Sequence, residues 1–271
     1  MNASHKSGVC GGRHPCARLS VVIPTLNEEP RIVDAIRSAR QCPGAQIIVV
    51  DGGSTDDTTG LARAQGAAVV RSEPGRGRQL ARGAEAAGGD TLLFLHADTR
   101  LPPGYWCEVE RVLNEPGTVA GAFRMAFDHV NTSLRLIEWG TSLRSRWRQL
   151  PYGDQALFLR RSTYRSVGGF KPIDSMEDFD LVWRLRRHGR IRISPLPAVT
   201  SARKYLNHGP WRTVLLHQRM IWSWLKHRDE ANNRVAISQP KQTTVLGVCG
   251  KVQRLAYGRK SPTNCGRIGE N

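Results

Sequence analysis

The chain has 271 residues, of which 39% are hydrophobic and 23% charged, with 27 Gly and 15 Pro; this excludes collagen, coiled coil and wholesale disorder and leaves room for one large domain or a domain with an appendage. Lys and Arg number 40 against 23 Asp and Glu, a formal net charge of +17. Leu181 to Arg228 contains eleven cations and no carboxylate, a balance that favours nucleic acid, an anionic membrane surface or a phosphorylated substrate as neighbour.

Residues 1–18 lack periodicity and read as a disordered N-terminal extension. LSVVIP (19–24) is a short apolar run of strand length, followed by the loop TLNEE and by Ile32, Val33, Ile36 and Ala39 at helical spacing. The unit repeats in kind: QIIVVD (46–51) is a second strand, GGSTDD a turn, and Thr58 to Gln65 a helix capped by Ser54, Asp56 or Asp57. A third strand at Ala68 to Arg71 leads to a helix over about Gln79 to Ala87, and TLLFLHAD (91–98) is a fourth strand ending in a polar turn. Strands buried on both faces and alternating with helices predict an α/β fold with a mostly parallel central sheet flanked by helices, with ligands beyond the strands' carboxyl ends. That edge collects Pro24 to Glu28, Asp51 to Ser54 and His96 to Asp98.

The second half is less regular. It holds the apolar stretch VAGAFRMAF (119–127), a helix around Leu134 to Trp147, a strand QALFLR (155–160), a helix over Glu177 to His188 and a last helix over Trp211 to Trp224. A basic tail, 229–271, reads as poorly ordered. No uncharged apolar run reaches the roughly 18 residues of a membrane span. The six cysteines form no C-x-x-C pair, so a reduced, cytoplasmic protein is expected.

Asp51 ends a buried strand before Gly52 and Gly53. Its carboxylate only accepts hydrogen bonds, which suits a uracil N3–H or ribose hydroxyls, although it can equally open a turn. Asp98 ends another strand in the same layer, where one carboxylate can hold a hard divalent ion completed by water and phosphate oxygens; a helix cap or turn is the alternative. Glu177, Asp178 and Asp180 crowd a helix start, as the macrodipole alone would favour, and adjacent acids can also raise one pKa toward general-base work. Arg76 and Arg78 stand at a loop-to-helix junction suited to phosphate oxygens. GRGRQLARG (75–83) has Leu80 where a dinucleotide fingerprint needs its third glycine, and the chain carries no Walker lysine motif and no G-x-S-x-G elbow.

Taken in order, LSVVIPTLNEE, IIVVDGGSTDDT, GRGRQLARGAEAA, LLFLHADTRLP, GDQALFLRRSTYRSVGGF and MEDFDLVWRLRRHG resemble a family 2 glycosyltransferase of the GT-A fold, within it the small soluble bacterial subgroup with the LHADTRLP motif. The resemblance covers about 19–225 and assigns 19–228 to the transferase domain. It implies transfer of a sugar from a nucleotide diphosphate donor, UDP-linked, to an acceptor hydroxyl or carboxylate with inversion, and a divalent metal, Mg²⁺ or Mn²⁺. Pro24, Thr25 and Glu28 correspond to the nucleotide-cradling loop, Asp51 to the base-binding aspartate, and Arg76 or Arg78 to a basic donor contact. Asp98 corresponds to the last aspartate of the Asp-x-Asp metal motif, and His96 stands where its first Asp would be. Asp178 corresponds to the catalytic base, with Glu177 as fallback. Asp154 and Gln155, in GDQ, line the sugar or acceptor pocket; Arg203 is expected near the diphosphate and pocket, and His208 as an added metal ligand.

The last helix interleaves aromatic and basic residues. Either it lies on an anionic membrane, at the inner face of the cell membrane, facing a lipid acceptor such as a polyprenyl phosphate or a carotenoid-type acid, or it is an ordinary packing helix with a solvated basic face. No nucleic acid partner is expected. The rival readings are a sugar-phosphate nucleotidyltransferase, which should carry a glycine-rich, lysine-bearing signature after the first strand where PTLNEE stands, and a non-catalytic basic module binding nucleic acid or a membrane surface.

Overall fold

The computed structural model describes residues 18–173 and 175–226, and follows the backbone of the last helix as far as Ser238. The expected extension before Arg18 and the tail beyond Ser238 lie outside the described residues. The helix runs well past the expected end at Trp224, since 225–238 holds no Pro or Gly to stop it.

The first half alternates as the apolar pattern dictates: β1 (Leu19–Thr25), α1 (Glu29–Ala39), β2 (Gln46–Asp51), α2 (Thr58–Ala64), β3 (Ala68–Arg71), α3 (Arg76–Ala86) and β4 (Thr91–Phe94). β1 lies between β2 and β4, and β3 pairs with β2, all parallel, with Thr25 in register with Asp51. Val21 and Ile23 of β1 point into one apolar layer with Ile32, Ala35 and Ile36 of α1, while Val22 points into the other with Leu80 and Ala84 of α3. Burying each large aliphatic side chain contributes about 1.5–3 kcal/mol, so the alternating run fixes strand direction and register together. α3 can approach the sheet because Gly83 presents no side chain; a Cβ there would lie 2.2 Å from Val22 Cγ1.

The second half adds β5 (Thr99–Arg100), α4 (Tyr105–Asn114), β6 (Thr118–Phe127), α5 (Thr132–Arg148), a 3-10 turn at Gly153–Gln155, β7 (Phe158–Arg160), α6 (Arg161–Ser166), α7 (Glu177–Leu185), β8 (Arg190–Thr200), α8 (Arg203–His208) and α9 (Pro210–Ser238). The eight strands run β3-β2-β1-β4-β7-β6-β8-β5. β7 is antiparallel to β4 and β6, and β5 to β8, whereas β6 and β8 are parallel, so the sheet is parallel in its first half and mixed in its second. β8 contains Pro195 and Pro197, and the β6–β8 register shifts beside them, between Phe123 and Arg124.

Cys42, just after α1, and Cys107, in α4, are each disulfide-bonded, against the expectation of reduced thiols. Spacing along the chain gave no sign of this, because the fold brings the start of α4 onto the end of α1. There the Tyr105 hydroxyl donates to the Ala39 carbonyl at 2.6 Å.

Candidate active site

The carboxyl ends of β1 and β2 are tied by a side chain that no motif marks. Gln79 of α3 is buried, and its Nε2 donates to the Thr25 carbonyl at 2.8 Å and to the Val50 carbonyl at 2.9 Å. Its polar amide inside the apolar stripe of α3 was the available signal. The following loops are knitted to one another: Asn27 N–H donates to Ser54 Oγ, Thr55 N–H to Asn27 Oδ1, and Glu28 N–H to Thr58 Oγ1. Asp51 is buried and its carboxylate closes its own turn, accepting from Gly53 N–H, Ser54 N–H and Ser54 Oγ–H. Pro24, Thr25 and Asp51 thus form a rigid floor outside the lining of the main cavity. Glu28 stands at its edge, with Oε2 buried and without a hydrogen-bond partner and Oε1 3.6 Å from Arg203 Nη2. Burial raises the Glu28 pKa, and the neighbouring Asp98 raises it further.

Beyond this floor lies a cavity of about 320 Å³. Asp98 reaches it from the turn after β4, where the Thr99 N–H donates to the His96 carbonyl and the Ser201 N–H donates to the Asp98 carbonyl. β5 and β8 continue this junction through a 3.0 Å bond between the Thr99 and Thr200 hydroxyls. Asp128 holds the start of α8 by accepting from Ala202 N–H. Glu177 and Asp178 reach the cavity from the first turn of α7, which follows Met176 at φ 65°, and Arg76 from the first residue of α3.

The three acids of α7 have separate duties. Asp180 is paired with Arg184 at 2.7 Å and faces Lys171 at 3.7 Å, so it anchors the helix. Glu177 is buried, its Oε1 3.4 Å from Arg76 Nη1 without a hydrogen-bond partner; burial and then Asp178 raise its pKa. Asp178 accepts from its neighbour Phe179 N–H at 2.7 Å and, through Oδ2, from Gly153 N–H at 2.6 Å. Gly153 is hemmed in: a Cβ there would lie 2.5 Å from His96 Nε2 and 3.0 Å from Asp178 Oδ2. His96, in the position expected for an aspartate, therefore flanks the same glycine as Asp178. Burial, then Arg76 and Lys204, hold its pKa well below the ordinary histidine range, leaving a neutral imidazole.

Asp154 lies in the cavity lining with Oδ1 buried and without a partner, and burial foremost, with Asp178 and Asp98 adding to it and Arg144 opposing, raises its pKa to about 6. Gln155 is a correction. It is fully buried, its Oε1 accepts from Ser145 Oγ–H and Tyr152 N–H, and its Nε2 donates to the Phe123 carbonyl, so it braces the turn from behind and does not line the cavity. His208 is exposed at the end of α8 and outside the lining, whereas His217 of α9 reaches the cavity, as His96 does. Exposed Arg78 donates to the Pro74 carbonyl, and Arg203 contacts Glu28 at the rim. Lys204, Tyr205, Tyr152 and His217 also line the cavity and were not singled out from sequence, because no motif marks them. α9 is held against α7 by Trp224, whose ring centroid is 5.0 Å from that of Phe179.

Among the described residues no group of three or more His, Cys, Asp or Glu side chains is gathered as a closed metal site. The donors present do fit a hard divalent cation bound partly by its substrate. Asp98 offers an oxygen, and its charge raises the pKa of both Glu28 and Asp154, a field a cation would relieve.

Residues 20–175 match the family described as Glycosyl transferase family 2, and the chain belongs to that family. Glucosyl-3-phosphoglycerate synthase of Mycobacterium tuberculosis is 40% identical over 96 residues, which is 31% of this chain and 30% of that protein. The chain thus matches under a third of the length of such curated relatives. A solved structure of the M. tuberculosis synthase with Mn²⁺, uridine diphosphate and glucosyl-3-phosphoglycerate superposes with a TM-score of 0.51 at 25% identity, covering 69% of this chain and 74% of that one. S. aureus TarS 1-349 in complex with UDP gives a TM-score of 0.55 at 19% identity, covering 68% and 60%, and shares the fold.

Proposed function

We propose that this member of glycosyl transferase family 2 moves a hexose, with inversion, from a UDP-linked donor to an acceptor hydroxyl or carboxylate, with a divalent cation as cofactor. The observation that carries the reading is the convergence of Asp98, Asp154, Glu177 and Asp178 with Arg76 and Lys204 on one cavity beyond the parallel strands' carboxyl ends. The likeness to glucosyl-3-phosphoglycerate synthase, whose M. tuberculosis structure holds Mn²⁺ and uridine diphosphate, supports the choice of donor and cofactor.

In this reading the loop of Pro24, Thr25 and Glu28 cradles the nucleotide. The base meets Asp51 through whatever hydrogen-bonding capacity its turn leaves, and Arg76 and Lys204 balance the diphosphate. Arg78 and Arg203 stand at the periphery of this donor surface. A divalent cation bound by Asp98, water and diphosphate oxygens would neutralise the charge growing on the leaving group. Asp178 is the base: Gly153 N–H fixes Oδ2, and the carboxylate accepts the acceptor proton as the acceptor oxygen attacks the anomeric carbon and the glycosidic electron pair leaves with the diphosphate. Neutral His96 fills the space beside Gly153 without adding a cation next to the base. An acceptor drawn from a lipid, with the protein resting peripherally on an anionic membrane, belongs to the same reading and is supported by the exposed tryptophans Trp139, Trp147, Trp211 and Trp222 of α5 and α9.

Titration calorimetry with UDP, with and without Mn²⁺, tests the donor assignment. The expected result is Mn²⁺-dependent binding that weakens in Asp98→Ala and in Asp51→Ala. No binding of UDP or GDP under any condition would overturn it.

A further inference from the structure

We propose that the groove between α5 and α9 is the apolar subsite for the acceptor, and that the acceptor is an amphipathic anion drawn from a lipid bilayer, its hydrocarbon chain between the two helices and its anionic group against Arg144. The inference rests on the transferase reading, lipid acceptor included, and adds the groove that takes the hydrocarbon chain and the residue that receives the anionic group.

A second cavity, of about 570 Å³, opens between α5 and α9 and shares Tyr152, Asp154, Tyr205 and His217 with the first, so it leads directly to the face that carries Asp178. Its volume is that of a small-molecule site. Leu136, Ile137, Leu143, Trp147, Trp211 and Val214 make its walls apolar, and Asp154 at its inner end is the one acid in its lining among the described residues. A small, wholly polar acceptor has no use for such a surface.

Arg144 supplies a second, independent sign. Its guanidinium lies 3.6 Å over the Tyr152 ring and its Nε donates to the Leu150 carbonyl, yet its Nη2 is buried without a hydrogen-bond partner among the described residues. A buried guanidinium N–H left unmatched is costly, and a carboxylate or phosphate oxygen is what satisfies it best. A cation at the inner end of an apolar slot suits an anion carrying a hydrocarbon chain.

The rim identifies the source. Trp147 is 82% exposed and Trp211 56%, at the groove, with Trp139 and Trp222 on the same two helices, and Arg146, Arg148, Arg212 and Arg219 are interspersed among them. Tryptophan bodies with basic tips are the composition of a surface that enters the headgroup layer of an anionic bilayer. Charge argues against a second copy on this face, because α5 and residues 210–226 of α9 carry Arg135, Arg144, Arg146, Arg148, Arg212, Arg219 and Lys226 against Glu138 alone, in a chain of net charge +17.

The test uses the full chain and decyl phosphate below its micelle concentration, with inorganic phosphate and decyl maltoside as partial probes, followed by calorimetry. Decyl phosphate should bind at least about tenfold more tightly than either partial probe, and the double variant Trp147→Ala/Trp211→Ala should lose about tenfold in affinity for it. Both tryptophans are largely exposed, so the double variant should fold. Arg144→Leu should lose the preference for decyl phosphate over decyl maltoside, and Arg144→Lys should restore part of it. Phosphatidylglycerol vesicles should carry down the wild type but not the double variant, and phosphatidylcholine vesicles neither. Equal affinity for inorganic and decyl phosphate, or undiminished binding by the double variant, would overturn the proposal. So would a dimer in sedimentation velocity that the double variant dissociates, with no vesicle binding by the wild type. Mn²⁺-dependent UDP binding by the double variant distinguishes failure of this subsite from failure of the transferase reading.

Discussion

At the carboxyl ends of β1 and β2, the Thr25 and Val50 carbonyls share the Gln79 amide and the Asp51 carboxylate is enclosed by its own turn. Across the cavity, Tyr152 Oη, Asp154 Oδ1 and Glu177 Oε1, and in the adjoining groove Arg144 Nη2, are buried without hydrogen-bond partners among the described residues. Apart from Glu28 Oε2 at its edge, the floor has satisfied its polar groups internally, as a scaffold must. The opposite wall leaves them unmatched where a sugar, an acceptor and their charges would supply the missing partners. The difference separates residues that hold the site from residues that the proposed function assigns to substrate, and it predicts which substitutions will cost stability and which activity.

The strongest test of that division is Asp178→Asn, which should lower kcat by about 10² to 10⁴ while leaving the unfolding midpoint near that of the wild type, read by UDP release and chemical denaturation. Asp98→Asn should abolish the Mn²⁺ dependence of UDP binding in calorimetry, again without a large change in stability. A destabilisation as large as the activity loss in either variant would place these residues with the scaffold. Gln79→Leu should behave in the opposite way, losing about 1–3 kcal/mol of stability in urea titration, because two buried carbonyls lose their shared donor.

Asp154 gives a pH signature. Its carboxyl is held at about 6 against an ordinary 3.8, so the folded state favours the protonated form. The resulting stabilisation is complete below about pH 4 and is lost as pH rises through about 6. Asp154→Asn should flatten that part of the profile of melting temperature against pH, and an unchanged profile would show that Arg144, Arg76, Asp98 and Asp178 compensate one another. The smallest effect is expected for His208→Ala, which should leave Mn²⁺-dependent UDP affinity within about twofold, since the residue stands outside the cavity.

The first half was legible because each strand is an uninterrupted apolar run and each helix buries one stripe, so hydropathy alone orders β1 through β4. α3 begins at Arg76, earlier than its apolar residues suggest, because Arg76, Gly77 and Arg78 contribute no apolar stripe of their own. β8 was hidden by Pro195 and Pro197, which read against a strand and sit where its register slips. α4 had a usable signal in buried Tyr105, Val109 and Val112, although PPG before it and the short β5 obscured its start. For the site, the acids at strand and helix ends were readable because charged residues interrupt apolar runs there. Tyr205 and His217 were not, since they enter the cavity by the packing of α8 and α9, which no local pattern encodes. Gln155 was misplaced for the converse reason: its neighbour Asp154 faces the cavity, while the 3-10 turn directs the glutamine to Ser145 and the Phe123 carbonyl.

Gly153 serves as a spacer whose useful property is the side chain it lacks. With His96 Nε2 and Asp178 Oδ2 both crowding the place a Cβ would take, a single added methyl group would displace one of them. The position is therefore a diagnostic for other chains of this type: one that keeps the acidic pair but bears a side chain here has either rebuilt the neighbourhood of the base proposed above or retired it, and reading one codon would flag which sequences need an assay before an activity is assigned.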